Sequence, residues 1–157
     1  MPTPGRWVLL AYRLPREPST PRIAIWRRLK RLGVAQLGDG LVALPLDSRN
    51  REQLEWAAEE IVEAGGEASI WLADPASAAQ ERELAARMAG AVAAQYAEVI
   101  KEARAAGRSR APARRTLLRL RRELGRIRRR DYFPPPEREE AHRAVEALAA
   151  RIEEAAA

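Results

Sequence analysis

The apolar pattern of this chain changes at Asp74-Pro75, and that change constrains the fold more than any other feature. Before this point, short apolar stretches typical of strands alternate with segments whose apolar residues recur every three or four positions, as in helices. After it only the helical period remains, which predicts three helices over about 77–105, 113–130 and 137–155. We therefore expect an α+β protein with a mixed domain over residues 1–74 and an all-helical extension over residues 75–157.

The first 74 residues contain signals for four strands and two helices. Glycines are typical helix ends, so the helices are expected to stop at Gly33 and at Gly65-Gly66. Gly38-Asp39-Gly40 is typical of a tight turn between two strands. The strands are predicted over about 6–14, 34–37, 41–45 and in "EASIWLA". The resulting β-α-β-β-α-β order is that of ferredoxin-like domains, in which both helices cover one face of an antiparallel sheet.

The start of the first helix is rich in polar and basic residues. Ser19 or Thr20 is predicted as the N-cap, with Pro21 at the first helical position. Because a helix start presents free N–H groups and a partial positive charge, one interpretation is a pocket for a doubly charged tetrahedral oxyanion. The residues that would form this pocket are Arg13, Arg16, Ser19, Thr20 and Arg22. The alternative is an ordinary helix cap without a ligand.

The outer face of the same helix is basic. A helical wheel places an apolar stripe on one side, formed by Ile25, Trp26, Leu29 and Leu32. The opposite side carries Arg27, Arg28, Lys30 and Arg31. These four cations are available to nucleic-acid phosphates, and a solvated face is the alternative.

Residues 104–130 are the most basic part of the chain, with twelve arginines and one acid, Glu123. The helix predicted there has an apolar stripe of Leu117, Leu120, Leu124 and Ile127. A second stripe lies roughly opposite and consists of Arg115, Arg119, Arg122, Arg126 and Arg129, followed by Arg130. Such a row suits successive phosphates of DNA. The alternatives are pairing with the acidic helices of the same chain, or a solvated face.

Several chemistries lack the residues they need. The chain has no cysteine and a single histidine, His142, which argues against disulfides, thiol chemistry and histidine metal clusters. It has no glycine-rich phosphate loop and no Ser/His/Asp set, so we expect neither an enzyme nor a cofactor. No apolar run approaches the length of a membrane span, and "WVLLAY" is too short for a signal peptide. We therefore expect a cytoplasmic protein that does not enter membranes.

Three stretches carry a family resemblance. They are "WVLLAYRLPREPSTPRIAIWRRLKRLGVAQLGDGLVALP", "LEWAAEEIVEAGGEA" and "RRDYFPPP", and together they resemble the N-terminal domain of the chromate resistance protein ChrB. The resemblance implies a chromate-responsive transcriptional regulator whose basic N-terminal part is associated with operator DNA. It also makes chromate the candidate oxyanion. Members of this family commonly continue into a second, C-terminal domain.

The first half of the chain is also similar to the middle domain of phenylacetate-pathway repressors (PaaX) and to CRISPR adaptation endoribonucleases of ferredoxin-like fold. Those nucleases place a metal-binding aspartate after the tyrosine that ends the first strand, whereas this chain has Arg13 after Tyr12. We expect a DNA-binding or regulatory module that forms a homodimer, since a single sheet leaves its edges uncovered. A protein-interaction module without DNA contact is the alternative, and a metal-dependent nuclease is the third possibility.

Overall fold

The fold is described for residues 6–157 from a computed structural model. Strands and helices follow one another in the predicted order, and the α+β class is confirmed. The strands are β1 (Trp7–Arg13), β2 (Ala35–Gly38), β3 (Leu41–Pro45) and β4 (Glu67–Ala73). The helices are α1 (Ser19–Leu32), α2 (Ser48–Glu63), α3 (Ala78–Gly107), α4 (Arg114–Arg129) and α5 (Glu137–Ala156).

The four strands form one sheet in the order β2-β3-β1-β4. Strand β1 pairs antiparallel with β3 on one side and with β4 on the other. Strand β3 also pairs antiparallel with β2. Strands β1 and β2 therefore run in the same direction with β3 between them, and β2 and β4 are the two edges.

The ends of α1 confirm one prediction and correct another. Gly33 has a left-handed φ of 80° and ends the helix as predicted. The predicted N-cap is wrong, because α1 begins at Ser19 and Pro18 occupies the cap position without a side-chain hydrogen bond. The extended backbone of Pro18, with ψ of 152°, makes it the last residue outside the helix. Pro21 then falls within the first turn, where backbone N–H groups have no helical partner and a missing one costs little.

The chain divides into two compact units, one up to Met88 and the other from Ala89 onward. The division falls inside α3, so the first turns of this helix belong to the unit that contains the sheet. There the indole Nε1 of Trp7 donates a hydrogen bond to Glu81 Oε1 at 3.1 Å. The predicted boundary at residues 74 and 75 marks where strands stop, whereas the compact unit extends one helix segment further.

Each unit has its own apolar core. The fully buried apolar side chains of the first unit come from β1, β3, α1 and α2, namely Val8, Leu10, Leu29, Ala43, Leu44, Leu54, Ala57 and Ile61. In the second unit, α4 contributes the whole stripe that the sequence predicts, Leu117, Leu120, Leu124 and Ile127. These four pack in one cluster with residues of α3 and α5, among them Tyr96, Val99, Ala141, Val145 and Leu148. Along residues 6–157, no helix has the length and apolar character required to cross a membrane.

Candidate nucleic-acid interface

Helix α4 carries a straight row of three arginines on the side opposite its buried stripe. These arginines, Arg115, Arg122 and Arg129, are seven residues apart. With 3.6 residues per turn, each differs from the next by only about 20° in angular position around the helix axis. A rise of 1.5 Å per residue separates neighbours by about 10.5 Å, so the row is about 21 Å long. All three side chains are exposed. We call these three residues the outer row.

The arginines on the α3-facing flank of α4 have partners. Arg119 forms an ion pair with Glu102 of α3, and Arg130 Nε donates to Gln95 Oε1 of the same helix at 2.7 Å. Within α4, Glu123 accepts a hydrogen bond from Arg126 at 3.1 Å, and it lies 3.7 Å from Arg130. Half of the predicted DNA-binding arginines in this region are therefore engaged within the chain.

The other flank of α4 is engaged by α5. Arg121 pairs with Glu146 at 3.5 Å, and Arg128 lies 3.3 Å from the Nδ1 atom of His142. The last turns of α3 also pair with α5, through Arg104 and Glu140 at 3.0 Å. Each of these acids lies in the second unit, so on each flank of α4 at least one arginine pairs with an acid of the same unit.

The outer row lacks such partners. Among residues 6–157, no acidic side chain lies within 4.0 Å of Arg115, Arg122 or Arg129. Leu118 lies beside the row on the helical wheel and is 45% exposed, although it is apolar. The sequence left open whether the arginines of this region contact DNA or pair internally. In the structure, arginines on the flanks of α4 have partners within the chain, whereas the outer row has no acidic partner among the described residues.

Helix α1 shows the same division on a smaller scale. Arg28 forms an ion pair with Glu60 of α2. Arg27 and Arg31 are exposed, and no acid of the described chain lies within ion-pair distance of either. Lys30 stands over the ring of Trp26, 6.0 Å from its centroid, in a cation–π contact. Three of the four predicted cations therefore face solvent.

The five residues of the predicted oxyanion pocket lie at the surface. Arg13, Arg16, Ser19, Thr20 and Arg22 are all exposed, and in the part of the chain described no hydrogen bond joins any two of them. Burial raises the pKa of Tyr12, and the nearby charge of Arg22 lowers it in part. Because all five side chains are exposed, an anion at this helix start would keep much of its contact with water. No three His, Cys, Asp or Glu side chains of residues 6–157 come together in a way that could hold a metal.

Residues 22–106, which are more than half of the chain, match the family model described as "Protein ChrB, N-terminal". The chain belongs to this ChrB family. Protein ChrB of Cupriavidus metallidurans is 32% identical over an alignment of 133 residues, which covers 82% of this chain and 40% of that protein. The chain thus spans less than half the length of this relative. No solved structure matches.

The ChrB match covers the basic face of α1 and ends before α4. Arg27, Lys30 and Arg31 therefore lie within the part that defines the family, whereas the outer row of α4 lies beyond it.

A buried polar pair in this ChrB-family chain was not predicted from the sequence. Tyr96 Oη of α3 donates to Asp131 Oδ2 at 2.8 Å, and Arg138 Nη1 of α5 is 3.6 Å from the same oxygen. The Asp131 side chain is fully buried, and its Oδ1 has no hydrogen-bond partner in the described chain. Burial, and then the bond to Asp131, raise the pKa of Tyr96. Two features of the sequence could have pointed to this pair. Asp131 lies in "RRDYFPPP", and Tyr96 is the one aromatic residue in an alanine-rich stretch.

Proposed function

We propose that this chain is the DNA-binding part of a chromate-responsive transcriptional regulator of the ChrB type, with a binding rather than a catalytic role. The observation that carries the proposal is the outer row of α4, three exposed arginines without an acidic partner among residues 6–157. A chain that pairs most other arginines of α4 internally leaves these three charges open to an external anion. DNA presents one negative charge per about 1.7 Å of its axis, so a row about 21 Å long meets several phosphates.

The basic face of α1 supports the same proposal. Arg27, Lys30 and Arg31 add three exposed cations on the other compact unit, within the region that matches the ChrB model. Arginine and lysine contacts to phosphates position a protein on DNA without reading its sequence. These six cations therefore account for affinity, and base recognition would come from neighbouring side chains such as those around Leu118.

We also propose that the first unit is ferredoxin-like. Its sheet order, read from the other edge, is β4-β1-β3-β2, and every neighbouring pair is antiparallel. The parallel strands β1 and β2 are joined through α1 with β3 between them, which is the split β-α-β arrangement.

Salt-dependent binding to a short DNA duplex tests the DNA proposal. The test variant replaces the outer row by Arg115→Gln, Arg122→Gln and Arg129→Gln together. Each phosphate contact contributes about 0.9 to the slope of log K against log salt, so three lost contacts should reduce that slope by about 2.7.

The matched control removes three arginines that already have acidic partners, by Arg104→Gln, Arg119→Gln and Arg121→Gln. It changes the net charge by the same amount, and its slope should stay close to that of the wild-type chain. Equal slopes for the two variants would show that only overall charge matters and would contradict the assignment of the outer row. If the wild-type chain binds no DNA at low salt, including DNA from upstream of its own gene, the chain is an interaction module.

A further inference from the structure

Strand β4 has a free outer edge. It pairs with β1 over all seven of its residues without a register shift. Beyond the sheet's own ladder, no backbone–backbone hydrogen bond of the described chain involves residues 67–73. The backbone groups on the side of β4 away from β1 are therefore open to another strand.

The two edges of the sheet differ in how they are protected. Natural proteins blunt edges with short strands, bulges, charges or proline. Strand β2 is protected in this way, because it is only four residues long and has a register shift between Gln36 and Gly38. Strand β4 does not, because Glu67 is its single charge and "ASIWLA" follows without proline, lysine or a bulge.

Two large apolar side chains are exposed at the centre of β4. Trp71 is 59% exposed and Leu72 is 40% exposed. As neighbours along a strand, they point to opposite faces of the sheet. The indole N–H of Trp71 donates to Ser69 Oγ within the strand at 2.8 Å, so the ring itself is what remains open to solvent. Pairing with another strand would satisfy the open backbone groups of this edge and bury apolar side chains that are now exposed on both faces of the sheet.

We propose that the partner at this edge is a second copy of the same chain, with the two β4 strands antiparallel about a two-fold axis. A two-fold interface requires a surface that complements itself, and an antiparallel strand pair meets that requirement. A register centred on Trp71 places the two Trp71 rings opposite each other on one face. It places Leu72 opposite Ile70 of the second copy on the other face, so both exposed side chains gain apolar cross-strand partners. The two sheets then form one continuous sheet of eight strands.

Cysteine cross-linking tests this register, because the wild-type chain contains no cysteine. In Trp71→Cys the two thiols would lie directly across the strand pair, at a separation that suits a disulfide. Mild oxidation should therefore give a covalent dimer. Val62→Cys, at a helical position that is 58% exposed, is the matched control and should stay monomeric on the same gel.

A second pair of variants keeps Trp71 in place. In the proposed register Ser69 lies opposite Ala73 of the second copy, so a mixture of Ser69→Cys and Ala73→Cys chains should cross-link. Ser69→Cys alone should not, because its two copies would be four residues apart along the strand, about 14 Å.

Light scattering of the wild-type chain should show a dimer that Leu72→Lys converts to a monomer. Val62→Lys adds the same charge at another exposed apolar position and should leave the dimer intact. Circular dichroism checks that both variants are folded. A wild-type monomer at all concentrations would refute the proposal. So would a dimer that survives Leu72→Lys and gives no cross-link at position 71 or between 69 and 73. Neither result depends on DNA binding, so this proposal and the DNA proposal fail separately.

Discussion

Replacing Tyr96 by Phe should destabilise the second unit by about 2–3 kcal/mol. The change removes one hydroxyl and leaves the ring in the core. It also removes the hydrogen bond to Asp131 Oδ2, and bonds to charged groups contribute about 1.5–3 kcal/mol. The upper half of that range is expected because Oδ1 has no other partner and Arg138 lies at 3.6 Å from Oδ2. The carboxylate would keep an ion pair but no direct hydrogen bond in the described chain.

Urea denaturation followed by helical circular dichroism measures this loss. Tyr12→Phe is the matched control, because Tyr12 is a half-buried tyrosine whose hydroxyl has no hydrogen bond in the described chain. It should cost about 0.5 kcal/mol or less, as substitutions away from specific interactions do. If the two variants lose the same stability, the buried pair does not stabilise the unit and the reasoning is wrong.

The same pair predicts a dependence on alkaline pH. The pKa of Tyr96 is raised above its ordinary value of 10.0, so the unfolded chain ionises this group first. Its contribution to stability is complete below pH 10.0 and is lost as the pH rises above that value. Tyr96→Phe should show a smaller alkaline loss than the wild-type chain.

Four further variants test other features. Gly90→Ala and Gly125→Ala should each stabilise the chain by about 0.5–1 kcal/mol in thermal or urea unfolding, because both lie in helices with open space around an added Cβ; a loss of stability at either site would contradict this. Gly40→Ala should destabilise by at least about 1 kcal/mol, since its φ is +67° and an added Cβ would lie 2.2 Å from the Tyr12 carbonyl oxygen; unchanged unfolding would show that the turn relaxes. In calorimetry, Arg22→Ala should weaken any binding of chromate at the start of α1 and leave DNA affinity unchanged; a wild-type chain that binds no chromate would reduce this site to a helix start.

The order of strands and helices could be predicted because local signals carry it. Apolar periods, Gly33 and the turn around Gly40 each act within a few residues, so they are visible in sequence. The start of α1 was mispredicted for a local reason as well. Pro18 and Pro21 both suit a helix start, and the hydroxyls of Ser19 and Thr20 favoured the later one, whereas the backbone begins the helix directly after Pro18.

The ion pairs of the candidate interface could not be predicted from the sequence. A helical wheel separates the buried leucines of α4 from its arginines, yet Arg115 and Arg119 both appeared on the outer stripe. Arg119 is neutralised by Glu102, which is 17 residues away in sequence and on another helix. Arg121 finds Glu146 at a separation of 25 residues. Such pairings depend on how three helices pack, and no local pattern in the sequence encodes them.

The extent of helix α3 decides where the chain can be divided. It runs unbroken from Ala78 to Gly107, while the boundary between the compact units falls after Met88. Its first turns hold the acceptor of the Trp7 indole, and its later turns carry Tyr96. A fragment intended to hold the sheet alone should therefore end at Met88 rather than at Asp74.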